Sequence, residues 1–324
     1  MSTVTAVNWL NVGLMIAAAV PAFLLPFETF VFAYAFVGPL HYLTQISWLH
    51  DRRYFSSGRL DPWWLVVAAG LITLWNFRPP GGPVDWTAAL VGATFIAAAG
   101  LAFLKSPRSK LLVGAGAAAV ALPLALNAAG ANLYLRLIPT IVHVFLFTGA
   151  FILLGSLKSR SASGLLSFAV FAGTAALLLL WRPSAAAYEL SPETAERAYG
   201  MRSTHGVVAG MLGLDGGWDG AVAVMRFVAW AYAYHYLNWF SKTKVIGWHE
   251  IPRSRAVGIV LLYLASVALY LRDPRLGIDV LFFLSLLHVL LEFPLNHQSF
   301  VGIGRELRRL AVARTARRAA PDPT

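Results

Sequence analysis

Eight histidines and one glutamate set in apolar sequence are the first chemistry this chain offers, and cysteine takes no part because there is none. His288 and Glu292 are four positions apart, as are His41 and Gln45; His235 and Asn238 are three apart, and Thr140 precedes His143 by three. On a helix, residues at these spacings share one face. Imidazole is the commonest metal ligand, and the neighbour one turn away is then a second ligand or a group that orients the ring. Glu292 is the stronger ligand candidate, because an unpaired carboxylate in apolar surroundings is expensive. Gln45, Asn238 and Thr140 read as orienting groups. The lack of cysteine removes disulfides, zinc thiolates, iron–sulfur clusters and a thiol nucleophile from consideration.

The spacing also divides the candidates. His41 to His50 and His288 to His297 are both nine apart, which on a straight helix is about 180° around and roughly 13.5 Å along the axis. Pro294 predicts a helix break between His288 and His297 that releases His297 at the surface; in the earlier segment Pro39 precedes His41 and offers no such break. Two tiers result. The buried one holds His41, His143, His235 and His288 with Glu292, and the interfacial one holds His50, His249 and His297. Which tier carries metal stays open. A single intramembrane histidine has an ordinary reading, a neutral ring hydrogen-bonded between helices and worth about 1 kcal/mol. Four of them are harder to explain that way.

These residues need elements to carry them. The chain has 324 residues, 58% of them hydrophobic and 13% charged, where a soluble domain has about a quarter charged. Mean hydropathy is +0.65. Repeated apolar runs predict ten membrane-spanning helices, at about 6–26, 28–50, 62–78, 86–104, 109–128, 133–156, 164–182, 220–242, 255–272 and 277–298. The N-terminus lacks the basic region of a signal peptide and reads as a retained first helix. The expected fold is all-α, a polytopic helical bundle with both termini cytoplasmic. One transmembrane domain covers 1–303 with an outer loop at 183–219, and a basic cytoplasmic tail covers 304–324. In that loop, Ser191 opens a helix-start signal, "SPET".

Charge supports this orientation. Placing both termini inside puts 18 of the 26 lysines and arginines on the cytoplasmic side, while Glu189, Glu193 and Glu196 fall in the outer loop. That is the positive-inside pattern of a bacterial-type cytoplasmic membrane protein. The net charge of +11 then reports orientation and contact with anionic lipid, and nucleic acid is not an expected partner. Around His235, "AWAYAYHYLNWF" is rich in aromatic residues. Trp239 and Trp248 read as an interfacial belt, and the deeper tyrosines as the lining of an apolar cavity.

Histidine and carboxylate without thiolate suit non-haem iron, which binds and activates O2. On this pattern the chain resembles the integral-membrane histidine-motif oxygenases and desaturases, although their close pairs HxxxH and HxxHH are absent. Its scattered transmembrane histidines are also similar to those of the bacterial carotene-cleaving dioxygenases that make retinal. The expected function is a metal-dependent oxidoreductase acting on a lipid or isoprenoid within the bilayer, with a redox partner where the reaction needs one. Two alternatives stay open: a haem b electron carrier with paired axial histidines, and a proton-coupled transporter with a His–Glu relay. A retinal-binding rhodopsin is excluded, because Lys105, Lys110, Lys158, Lys242 and Lys244 all sit at predicted helix ends.

Overall fold

The computed structural model describes residues 3–77, 84–198, 208–210, 212–214 and 217–319, without the side chains of 128–129, 133–137, 140, 314 and 316–319. All regular structure among the described residues is helical. In chain order the elements are α1 (Thr3–Leu24), α2 (Pro26–Phe32), a π-helical turn (Ala33–Val37), α3 (Gly38–Asp51), α4 (Asp61–Asn76), α5 (Trp86–Phe103), α6 (Pro107–Leu124) and α7 (Ala128–Asn132). A π-helix (Leu133–Phe147) follows, then α8 (Thr148–Ser159), α9 (Ala162–Leu180), α10 (Pro192–Arg197), α11 (Trp218–Ser241), α12 (Thr243–Ile246), α13 (Arg253–Arg272) and α14 (Pro274–Ala319).

Six helical stretches are long and apolar enough to cross a membrane: Thr3–Leu24, Trp86–Phe103, Ile141–Ser159, Ala162–Leu180, Arg253–Arg272 and Pro274–Ala313. Each of the ten apolar runs seen in the sequence nevertheless coincides with helix. The runs outside the six are short, as in the 16-residue α4, or polar, as in α11 with Arg226, His235 and Asn238. The predicted start of the outer-loop helix is present: Ser191 Oγ accepts from the Thr194 amide at 3.1 Å and caps α10.

Two helices organise the interior. α11 packs against α1, α2, α9 and both π-helical segments. Three of its polar groups, spaced four apart on one face, bond to α1: Arg226 Nε to the Phe23 carbonyl (3.0 Å), Trp230 Nε1 to the Met15 carbonyl (3.1 Å) and Tyr234 OH to Asn11 Oδ1 (3.1 Å). Such bonds hold membrane helices together at about 0.6 kcal/mol each. α14 gathers α3, α4, α5, α8 and α13. The apolar residues fall into two main clusters accordingly, one around α11 with Met15, Phe171 and Trp230, the other around α14 with Leu65, Ala88 and Leu290.

Pro294 does not break α14, contrary to the sequence expectation. The helix runs unbroken from Pro274 to Ala319, about 69 Å at the α-helical rise. Within a membrane bundle, neighbouring helices and local adjustments re-satisfy the carbonyl that a proline leaves free. Trp239 also departs from expectation. It is buried, and its Nε1 donates to Thr44 Oγ1 at 3.0 Å, so it ties α11 to α3 and is not part of an interfacial belt.

Candidate metal centre

The buried tier converges at the seam between the two apolar clusters. His41 comes from α3, His143 from the π-helix, His235 from α11, and His288 and Glu292 from α14. All five side chains are buried. Their potential ligand atoms form two overlapping groups, His41–His235–His288 and His143–His288–Glu292, each with its atoms within 4.8 Å of one another. His41 Nε2 lies 3.1 Å from His235 Nε2, and His143 Nε2 lies 3.2 Å from His288 Nε2 and 3.6 Å from Glu292 Oε2.

The local backbone explains how distant segments meet here. His41 follows a π-helical turn and Pro39; His143 sits in a π-helix four residues after Pro139; Glu292 precedes Pro294 by two. π-helical segments and prolines interrupt the regular α register and re-aim side chains, and they recur at functional sites.

Hydrogen bonds fix the protons on two of the rings. His288 Nδ1 lies 2.5 Å from the Ser285 carbonyl, which can only accept, so Nδ1 carries the hydrogen and Nε2 the lone pair. Thr148 Oγ1 donates its single hydrogen to the Val144 carbonyl (2.7 Å) and therefore accepts from His235 Nδ1 (2.7 Å). His235 Nε2 is left with its lone pair as well. Two lone pairs thus face the centre, each beside a second imidazole.

Glu292 lies beside Gln45, and its Oε2 has no hydrogen-bond partner and pairs with no lysine or arginine among the described residues. At 3.6 Å, His143 Nε2 is beyond hydrogen-bond reach. A buried carboxyl in this state keeps its proton or is neutralised by a cation, which a metal ion could supply. An ion meets the geometry of the nitrogens too. Two ligands about 2.1 Å from a common ion and roughly 95–100° apart stand 3.1–3.2 Å from each other. Because His288 Nδ1 is committed to Ser285, only Nε2 can ligate, and one lone pair serves one ion. The two groups therefore share one lone pair, so either could hold an ion with His288; the five residues do not form one group.

A small cavity adjoins it, lined by His143, His235, His288, Tyr232, Tyr236 and Ser285 among others, with ≈ 20 Å³ open to the centre of a water-sized sphere. That is room for about one water molecule. Tyr42 stacks on the His288 ring with centroids 4.4 Å apart, and its hydroxyl lies 2.5 Å from that of Tyr236. Tyr232 and Tyr236 thus border a one-water space at the histidines, in place of the apolar cavity expected from the sequence.

The interfacial residues stay outside both groups. His50 is exposed, with Nδ1 3.4 Å from Tyr54 OH; His249 is exposed beside Trp248; His297 Nε2 donates to the Phe95 carbonyl at 2.8 Å. Of the orienting groups, Gln45 lies beside Glu292 on another helix in place of His41, and Asn238 accepts from Tyr234 OH at 3.5 Å. The Thr140 side chain and His205 lie outside the described residues. Thr148, which orients His235, carries no sequence signal, since 87 positions separate the two. Comparison with protein-family models, curated proteins and solved structures finds no match for this chain.

Proposed function

We propose that this protein is a multi-pass membrane oxidoreductase of about ten spans with both termini cytoplasmic, in a bacterial-type cytoplasmic membrane. One buried ion is held at His288 with further ligands drawn from His41, His143, His235 and Glu292, and the substrate is a lipid or isoprenoid. The observation that carries this reading is the pair of buried three-residue groups that meet at His288, one of which holds the cation-less Glu292 with His143.

The mixed nitrogen and oxygen set, without thiolate, suits iron in the form that activates O2. Three protein ligands would leave open positions on an octahedral ion, and the one-water cavity beside His143, His235 and His288 is where a small molecule would reach them. The protein's own contribution is positional. Ser285 and Thr148 hold two rings in the ligating tautomer, Gln45 lies beside the carboxylate, and the apolar clusters exclude water. Tyr232 and Tyr236 wall the cavity, so they are the groups an apolar substrate would displace or contact. Hydroxylation or desaturation would draw two electrons from a redox partner, whereas oxidative cleavage of a C=C bond by O2 would draw none; assays with and without reductant separate them.

Geometry disfavours haem b. Two axial nitrogens on opposite sides of an iron stand about 4 Å apart at ordinary metal–nitrogen lengths, longer than the 3.1 and 3.2 Å seen here. A one-water cavity also cannot admit a porphyrin between them.

The test is elemental analysis of anaerobically purified protein. One ion per chain is expected, falling below a tenth of that in His288→Ala while the yield of folded protein persists. Full metal occupancy and activity in that variant would overturn the assignment.

A further inference from the structure

A second cleft lies apart from the histidines, between α4, α5 and α6. It encloses ≈ 730 Å³, within the range of pockets that bury a small molecule or a lipid chain. Small side chains open it. Ala68, Ala93, Ala97 and Gly114 line the floor, where larger residues would close the gap, and Trp64 and Leu65 complete an apolar trough. Water gains nothing in so apolar a space.

The mouth is different. Arg59, Lys105, Lys110 and Asp61 meet there. Lys110 Nζ bonds both carboxylate oxygens of Asp61 at 2.7–2.8 Å, and the Gly58 amide bonds Asp61 Oδ2 at 2.7 Å, so that pair is neutral and held in place. Arg59 and Lys105 form no ion pair among the described residues and are exposed. Three cations less one anion leave the mouth at +2. The mouth is also anchored, since the Ser57 amide bonds the Leu101 carbonyl at 3.0 Å and the Ser57 hydroxyl bonds the Leu104 carbonyl. An apolar trough ending in two free cations matches a molecule with an apolar chain ending in an anion. Basic pockets between membrane helices bind phosphate-bearing headgroups on this principle.

We propose that this cleft binds one anionic phospholipid, its phosphate at Arg59 and Lys105 and an acyl chain along Trp64, Ala68 and Ala97. The proposal is independent of the metal centre.

Native mass spectrometry of the full chain in neutral detergent tests it, with dioleoylphosphatidylglycerol and dioleoylphosphatidylcholine as probes. The wild type should retain the anionic lipid about tenfold better or more, as expected of two cations facing one phosphate. Arg59→Gln/Lys105→Gln should lose that preference with metal content and unfolding temperature unchanged. Ala97→Leu, or Ala68→Leu where the first fails to fold, should lose retention of the anionic lipid itself. Equal retention of both lipids by the wild type, or an undiminished preference in the double variant, overturns the proposal. Displacement of the lipid by millimolar glycerol 3-phosphate would assign the mouth to a soluble phosphate and overturn it as well.

Discussion

A neutral imidazole offers one lone pair, and what its other nitrogen touches decides where that lone pair points. His235 presents Nε2 to the centre because Thr148 takes up Nδ1. Thr148→Val keeps the shape of the side chain and removes the acceptor. Nδ1–H would then be orphaned, and the tautomer that places hydrogen on Nε2 would compete with ligation. Metal affinity should fall about 10–100-fold, with Thr148→Ser close to wild type; chelator competition reads both. A loss confined to protein yield, with affinity intact, would contradict this role. At this scale the sequence was informative where a residue was costly for its surroundings. His41, His143, His235, His288 and Glu292 each stand out in an apolar run, and the structure gathers them into two groups of three that share His288. Thr148 and the Ser285 carbonyl were illegible, because a threonine in a membrane helix is unremarkable and every residue has a carbonyl.

Among the elements, α14 carries two of the five candidate ligands and depends on the tight hairpin joining it to α13. A Cβ at Gly277 would stand 2.4 Å from Tyr270 Cα and 2.9 Å from Tyr270 N. Backbone cannot yield as a flexible side chain does, so Gly277→Ala must shift the start of α14. Overpacking of this kind costs about 1–3 kcal/mol, and the variant should unfold several degrees lower than wild type in a thermal melt. If α14 moves as a unit, metal occupancy at a fixed metal concentration should fall too. Apolar runs made the helices legible, and the SPET cap at Ser191 was legible from its residues alone. The continuity of α14 through Pro294 was not. The local penalty of proline is written in the sequence, while the packing that overrides it comes from α3, α4, α5 and α8. The π-helix over Leu133–Phe147 was equally hidden, since its apolar residues repeat with an ordinary α-helical period.

For the whole molecule, the absence of cysteine makes the proposed orientation straightforward to test, because any cysteine introduced is the sole thiol label. Cysteines replacing the exposed Ser106 and Ser159 should resist a membrane-impermeant maleimide in intact cells and react once the membrane is opened. One replacing the exposed Ser184 should react in both conditions. The reverse pattern would invert the topology. Ten helical segments were readable from hydropathy; that one of them is enclosed on most of its surface was not, because enclosure is set by all the others. In α11, 18 of 24 residues are buried, whereas the 20-residue α13 buries three. With Arg226, five tyrosines or tryptophans around His235, and Asn238, α11 is poorly suited to dissolve in lipid by itself. The helices that enclose it, α1, α2, α9 and the π-helical segments, all come earlier in the chain. During synthesis, α11 therefore leaves the ribosome with its binding groove already made, and its integration is an assembly step that the preceding helices must prepare.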